Sequence, residues 1–144
     1  DAWHHLNHLI ADFATDTLLD LHPPRIFQID GNLGGAAAVL EMLLQSYHGE
    51  LHFLPALPPD WPAGRATGLR ARGGLTVNIT WARGKLTCAE ITAAVSGECT
   101  VIHARPAWHV RTGSGRPVPV QRDGHRLRFP LVAGKNVQVL TATS

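Results

Sequence analysis

Between residues 75 and 81, Leu75, Val77, Ile79 and Trp81 alternate with Thr76, Asn78 and Thr80. A period of two places one set on each face of an extended backbone, so the segment predicts a half-buried strand. Further strand-like runs follow over residues 86–95, 99–104, 108–112, 118–122, 126–131 and 136–141. Turn signals, Arg83-Gly84 and Asp123-Gly124, separate some of them. Short strands at such intervals predict a small antiparallel β-sandwich from about residue 68 onward. This tail carries no Ser/His/Asp set, no phosphate loop and no paired carboxylates.

The first third of the chain follows a different period. Leu6, Leu9, Ile10 and Phe13 fall on one helical stripe over residues 3–14. His22-Pro23-Pro24 stops that helix, because proline lacks the amide hydrogen and restricts the residue before it. A second helix is predicted over residues 33–47, with Val39, Leu40, Leu43 and Leu44 as its apolar stripe. Asn32 stands as its N-cap and Gly49 as its C-terminal stop. Residues 51–54 form a short strand candidate. Pro55, Pro58, Pro59 and Pro62 then make a stiff connector, with Leu57 and Trp61 as anchors. Two helices cannot close a core by themselves. They read as the end of a larger helical assembly, and the start without Met, as if inside a helix, reads as that of a fragment. The predicted organisation is helical over residues 1–54, connecting over 55–67 and β over 68–144.

Charge divides along nearly the same line. Residues 1–60 hold one basic and eight acidic side chains, a net −7, while residues 61–144 hold twelve basic and three acidic, a net +9. The arginines are spread along strand-like segments and are not clustered with aromatics, which argues against a nucleic-acid surface. No apolar run approaches the roughly 20 residues of a membrane helix. The start is neither basic nor continuously apolar, so no signal peptide is read. Two cysteines, Cys88 and Cys99, are too few for a disulfide framework; they read as free thiols or as one bridge between neighbouring strands. His4 and His8 have the spacing of a zinc pair but lack an intervening glutamate and an evident third ligand, so no metal or other cofactor is expected.

One short stretch carries the chemistry. In Phe27-Gln28-Ile29-Asp30-Gly31-Asn32-Leu33-Gly34, polar residues alternate with apolar ones. In an extended backbone Gln28, Asp30 and Asn32 share one face, and Phe27 and Ile29 anchor the other. A carboxylate between two amides serves as a general base or holds a polar ligand. The competing reading makes Asp30 or Asn32 a cap for the next helix. Gly31 and Gly34 remove side chains where backbone or ligand comes close.

This stretch, with His22-Pro23-Pro24 before it, resembles glycoside hydrolase family 95, the inverting α-L-fucosidases. So do Glu41-Met42-Leu43-Leu44-Gln45-Ser46, His48-Gly49-Glu50-Leu51-His52, Leu54-Pro55-Ala56-Leu57-Pro58 and Gly68-Leu69-Arg70-Ala71-Arg72-Gly73-Gly74. Ordered blocks at matching intervals are a more specific signal than one motif. The resemblance is dense over residues 17–92 and extends beyond them only by type. It implies an α+β fragment: the last helices of a six-fold α/α barrel, followed by a C-terminal antiparallel β-sandwich. It implies removal of terminal α-L-fucose from oligosaccharides or plant glycans, with α-L-galactosidase specificity in the same class. Asp30 maps onto an aspartate that helps activate the attacking water, and Gln28, Asn32 and His22 onto positions lining the substrate. The general acid and the water-positioning asparagines lie on earlier segments absent from this chain, and neither Glu41 nor Glu50 is assigned in their place. A non-catalytic module, binding sugar or buttressing the barrel, is the competing function. Two departures stand out: an insertion-like Arg25-Ile26 after the prolines, and Leu33 where the family has phenylalanine.

Overall fold

The computed structural model describes residues 2–105 and 107–141. The chain opens with α1 (Ala2–His8), which runs into a π-helical turn, Leu9–Phe13. Two short strands, β1 (Leu21–His22) and β2 (Ile26–Phe27), pair antiparallel. Pro23, Pro24 and Arg25 form the loop between them, so the insertion-like Arg25-Ile26 is absorbed by a hairpin in which Ile26 faces His22. The second helix, α2, spans Ile29–Leu43. It starts earlier than the periodicity predicts and ends earlier. The reason for the early end lies downstream: β3 (Leu44–Tyr47) and β4 (Glu50–Phe53) form a hairpin across His48 and Gly49. Both loop residues have positive φ, 51° and 78°, as a type I′ turn requires. Gly49 is therefore a hairpin residue, not a helix stop.

The remaining strands are β5 (Gly64–Ala71), β6 (Leu75–Ala82), β7 (Lys85–Ala93), β8 (Gly97–Val101), β9 (His109–Thr112), β10 (Gln121–Asp123), β11 (Arg126–Leu131) and β12 (Asn136–Leu140). Together with β3 and β4 they build two five-stranded sheets, ordered β5-β6-β7-β12-β9 and β10-β11-β8-β4-β3. All pairs are antiparallel except β4 with β8. The β3–β4 hairpin, which the sequence groups with the helices and connector, thus hydrogen-bonds into the second sheet. The run predicted over residues 118–122 is strand only from Gln121; before it, Val118 N–H donates to Val110 C=O.

Strand alternation produces the core. Val77, Ile79, Ala89, Ile91 and Val139 of one sheet and Val101, Leu127 and Phe129 of the other are almost wholly buried, in one continuous apolar cluster. Cys99 lies in that cluster on β8 and Cys88 lies on β7; both are free thiols in different sheets. Burial pushes the Cys99 thiol up to about 12, with Glu98 adding to the shift.

The helical part is packed differently. Only Leu6, Met42 and Leu43 are buried apolar residues of α1 and α2. Leu18, Ile26, Phe27, Ile29, Leu33 and Leu40 are exposed. Phe27 and Ile29, expected as anchors, present roughly half their surface to solvent, at 49% and 53%. The helices reach the β part through Trp3, whose indole N–H donates to Asp60 Oδ2 at 3.0 Å and whose ring meets Trp61 edge-on at 5.3 Å. No helix among the described residues is long and apolar enough to cross a membrane.

Candidate active site

Helix α2 begins at Ile29, so the polar trio does not lie on one extended face. Gln28 is the residue before the helix, extended at φ −124°, and its side chain makes no capping bond. Its backbone N–H donates to Asp20 C=O at 3.0 Å, extending the β1–β2 pairing by one step. Asp30 and Asn32 sit in the first turn, two positions apart. At about 100° per residue they project on opposite sides of the helix.

Their surroundings differ accordingly. The Asp30 side chain is exposed and makes no hydrogen bond or ion pair among the described residues. Asn32 points back at the segment before the hairpin: its Oδ1 accepts the Asp20 backbone N–H at 2.8 Å, and its Nδ2 donates to Leu18 C=O. The Asn32 amide is therefore occupied as a brace and caps no helix. His22 is exposed on β1, its ring Nδ1 against Pro23 C=O.

Asp20 was not among the residues the sequence singled out. It is buried to 8% exposure, and its Oδ1 has no hydrogen-bond partner. Its carboxylate lies directly over Gly31: a Cβ at position 31 would fall 1.9 Å from Asp20 Oδ2. The glycine is thus required by a neighbour eleven positions upstream. No periodicity flags that contact, because the β1–β2 hairpin creates it. Asp20, Gly31 and Asn32 border a cavity of about 250 Å3, otherwise apolar, between α1, the following π turn and α2.

Other candidates resolve into structural roles. Glu50 accepts from Arg126 Nε at 2.7 Å, which ties β4 to β11 and raises the Arg126 pKa. Glu41 lies within α2 beside Tyr47 and raises the phenol pKa. His8 pairs with Asp12 one turn on. No three His, Cys, Asp or Glu gather as a metal-ligand set among the described residues.

Two family profiles divide the chain at the junction of α2 and β3. "Glycosyl hydrolase family 95 catalytic domain" matches residues 1–43, and "Glycoside hydrolase family 95, C-terminal domain" matches residues 45–139. The chain belongs to glycoside hydrolase family 95. Among curated proteins it is similar to "Alpha-L-fucosidase 2" of Arabidopsis thaliana, 62% identical over 66 residues, which are 45% of this chain and 8% of that protein. It is also similar to "Probable alpha-fucosidase A" of Aspergillus oryzae, 35% identical over 91 residues, which are 56% of this chain and 13% of that protein. The protein of the same name from Aspergillus niger is 30% identical over 95 residues, 56% of this chain and 12% of the relative. The chain thus spans less than a seventh of the length of each of these relatives.

Proposed function

We propose that this chain is the C-terminal part of a longer glycosidase that removes terminal α-L-fucose from oligosaccharides or plant glycans with inversion. In this reading residues 2–43 are the last helices of a six-fold α/α barrel, and residues 44–141 form a β-sandwich set against it. The exposed apolar side chains around the β1–β2 hairpin and α2 are then covered by the rest of the barrel. The observation that carries the reading is the match of residues 1–43 to the family's catalytic domain, with Asp30 exposed and making no hydrogen bond or ion pair among the described residues.

Inverting hydrolysis requires a general acid at the leaving oxygen and a base for water on the opposite face, the two carboxyls about 6.5–9.5 Å apart. Asp30 takes the water side. Its free carboxylate accepts a proton from the attacking water, while Gln28 and His22, exposed on the same hairpin-to-helix segment, line the sugar. Asn32 serves the site indirectly by fixing the Leu18–Asp20 backbone against α2. The general acid comes from outside these 144 residues. The isolated chain is therefore expected to leave a chromogenic α-L-fucoside intact, and clear turnover by the pure chain would defeat the reading.

The decisive test is Asp30→Asn in the full-length parent. The change keeps size and removes the basic oxygen. The loss should fall on kcat, because water is activated in the transition state, and should be about 10²–10⁴-fold. Near-normal kcat would return Asp30 to a structural role.

A further inference from the structure

A second cavity, of about 390 Å3, lies in the β part and shares no lining residue with the one beside Asp20 and Asn32. It opens where the end of β4, the β6–β7 turn and the segment between β8 and β9 meet. Phe53 and Trp108 form its apolar wall, their rings 6.4 Å apart. Arg83, Lys85, His103 and Arg105 supply its polar side. None of its described lining residues is acidic. Neither Lys85 nor Arg105 has an ion-pair partner among the described residues.

The frame around the cavity is pinned without the side chains of Lys85 and Arg105. In the β6–β7 turn both Arg83 and Gly84 have positive φ, 52° and 67°, and Gly84 N–H donates to Pro62 C=O at 2.8 Å. Across the opening, Ala104 N–H donates to His125 C=O at 2.9 Å and Trp108 N–H to Arg105 C=O at 3.0 Å. The Arg122 guanidinium donates to both the Arg105 and Trp108 carbonyls. A preformed pocket that gathers like charges around an apolar wall is completed by an anion. Its size falls near the lower end of small-ligand pockets, about 300–1,000 Å3, which suits one pyranose unit. The electron-rich face of an aromatic ring receives the C–H face of a sugar, and lysine and arginine receive its charged substituent.

We propose that this cavity binds a negatively charged sugar residue, a pyranose bearing a carboxylate or a sulfate ester. The choice of a sugar over another organic anion rests on the glycosidase reading; the anion itself does not. The test is calorimetric titration of the 144-residue chain with methyl glucuronide, glucose 6-sulfate, neutral methyl glucoside and inorganic sulfate. At least one charged sugar should bind saturably, with methyl glucoside at least about tenfold weaker. The two charged sugars separate a carboxylate site from a sulfate site. Lys85→Gln with Arg105→Gln should weaken binding at least about tenfold with the melting temperature unchanged, while Arg128→Gln on β11 should leave it intact. Lys85→Gln alone serves as the second variant if the pair does not fold. Absence of saturable binding, equal binding of methyl glucoside, equal binding of inorganic sulfate, or indifference to the Lys85 and Arg105 changes would overturn the proposal. The readout needs no turnover, so its failure is distinct from failure of the Asp30 assignment, which is read from kcat in the parent.

Discussion

Gly31 and Gly34 stand three residues apart on α2 and meet opposite demands. A Cβ at position 34 has nothing within 4 Å, whereas one at 31 meets the buried Asp20 carboxylate at 1.9 Å. Replacing glycine by alanine inside a helix gains about 1 kcal/mol from backbone entropy. At Gly34 that gain stands alone, so Gly34→Ala should raise stability by about 0.5–1 kcal/mol. At Gly31 overpacking costs about 1–3 kcal/mol and outweighs it. Denaturant unfolding of the two variants should therefore place Gly34→Ala above the parent and Gly31→Ala below it. The reverse order would mean that Asp20 does not occupy that position. Sequence reading treated both glycines as sites of close approach, and the chain alone cannot separate them. The distinction comes from Asp20, brought over Gly31 by a two-strand hairpin too short to register as periodicity. The roles of Asn32 and Asp30 were inseparable for the same reason: both are short polar residues at a helix start, and only the partner, Leu18–Asp20, tells the brace from the free carboxylate.

Elements with strong local signals were legible, and those fixed by distant pairing were not. Arg83-Gly84 forms the turn its residues predict, and β11 has the predicted bounds, because positive-φ turn chemistry and strict alternation are local. The β3 strand was hidden. Leu43-Leu44 continues the helical stripe, and no breaker separates α2 from β3, so pairing with β4 overrides the local pattern. The start of β5 was hidden by a bulge between Ala66 and Leu69, where Gly68 N–H donates to Asn78 Oδ1 at 2.9 Å and alternation skips a step. Pairing β4 with β8 also brings His52 against His103, ring centroids 4.3 Å apart. Burial first, then the neighbouring imidazole, hold the His52 pKa below its ordinary value. The unfolded chain therefore takes up this proton first as pH falls. Stability from His52 is complete above about pH 6.5 and is lost as pH drops through the lower folded-state pKa. Thermal melts between pH 7.5 and 5 should show a fall that His52→Gln reduces. An unchanged slope in the variant would remove His52 as a cause.

At the scale of the molecule, the question is where the β part begins. The charge split and the proline run point to residues 55–67, whereas the second sheet reaches back to Leu44. In the order β10-β11-β8-β4-β3, removing the chain before residue 60 deletes two of five strands and leaves β8 with an unpaired edge. It also removes Leu43, Leu44, Leu51 and Phe53, all buried in the common cluster. Losing four large core side chains costs on the order of 2–5 kcal/mol each, which together is enough to cancel the roughly 5–15 kcal/mol that holds an ordinary domain folded. Removing the chain before residue 44 instead takes away α1, α2 and the exposed apolar surface around them, at the cost of the Trp3 contacts with Asp60 and Trp61 and of the Met42 and Leu43 packing. Residues 44–144 should accordingly unfold in one cooperative transition and stay soluble at concentrations where the full chain associates through its bare helical face. Residues 60–144 should melt broadly or not at all. Circular dichroism melts and sedimentation of the three chains make the comparison. A transition for residues 60–144 as sharp and as high as that for 44–144 would show that the β3–β4 hairpin is an appendage, and would move the boundary back to the prolines.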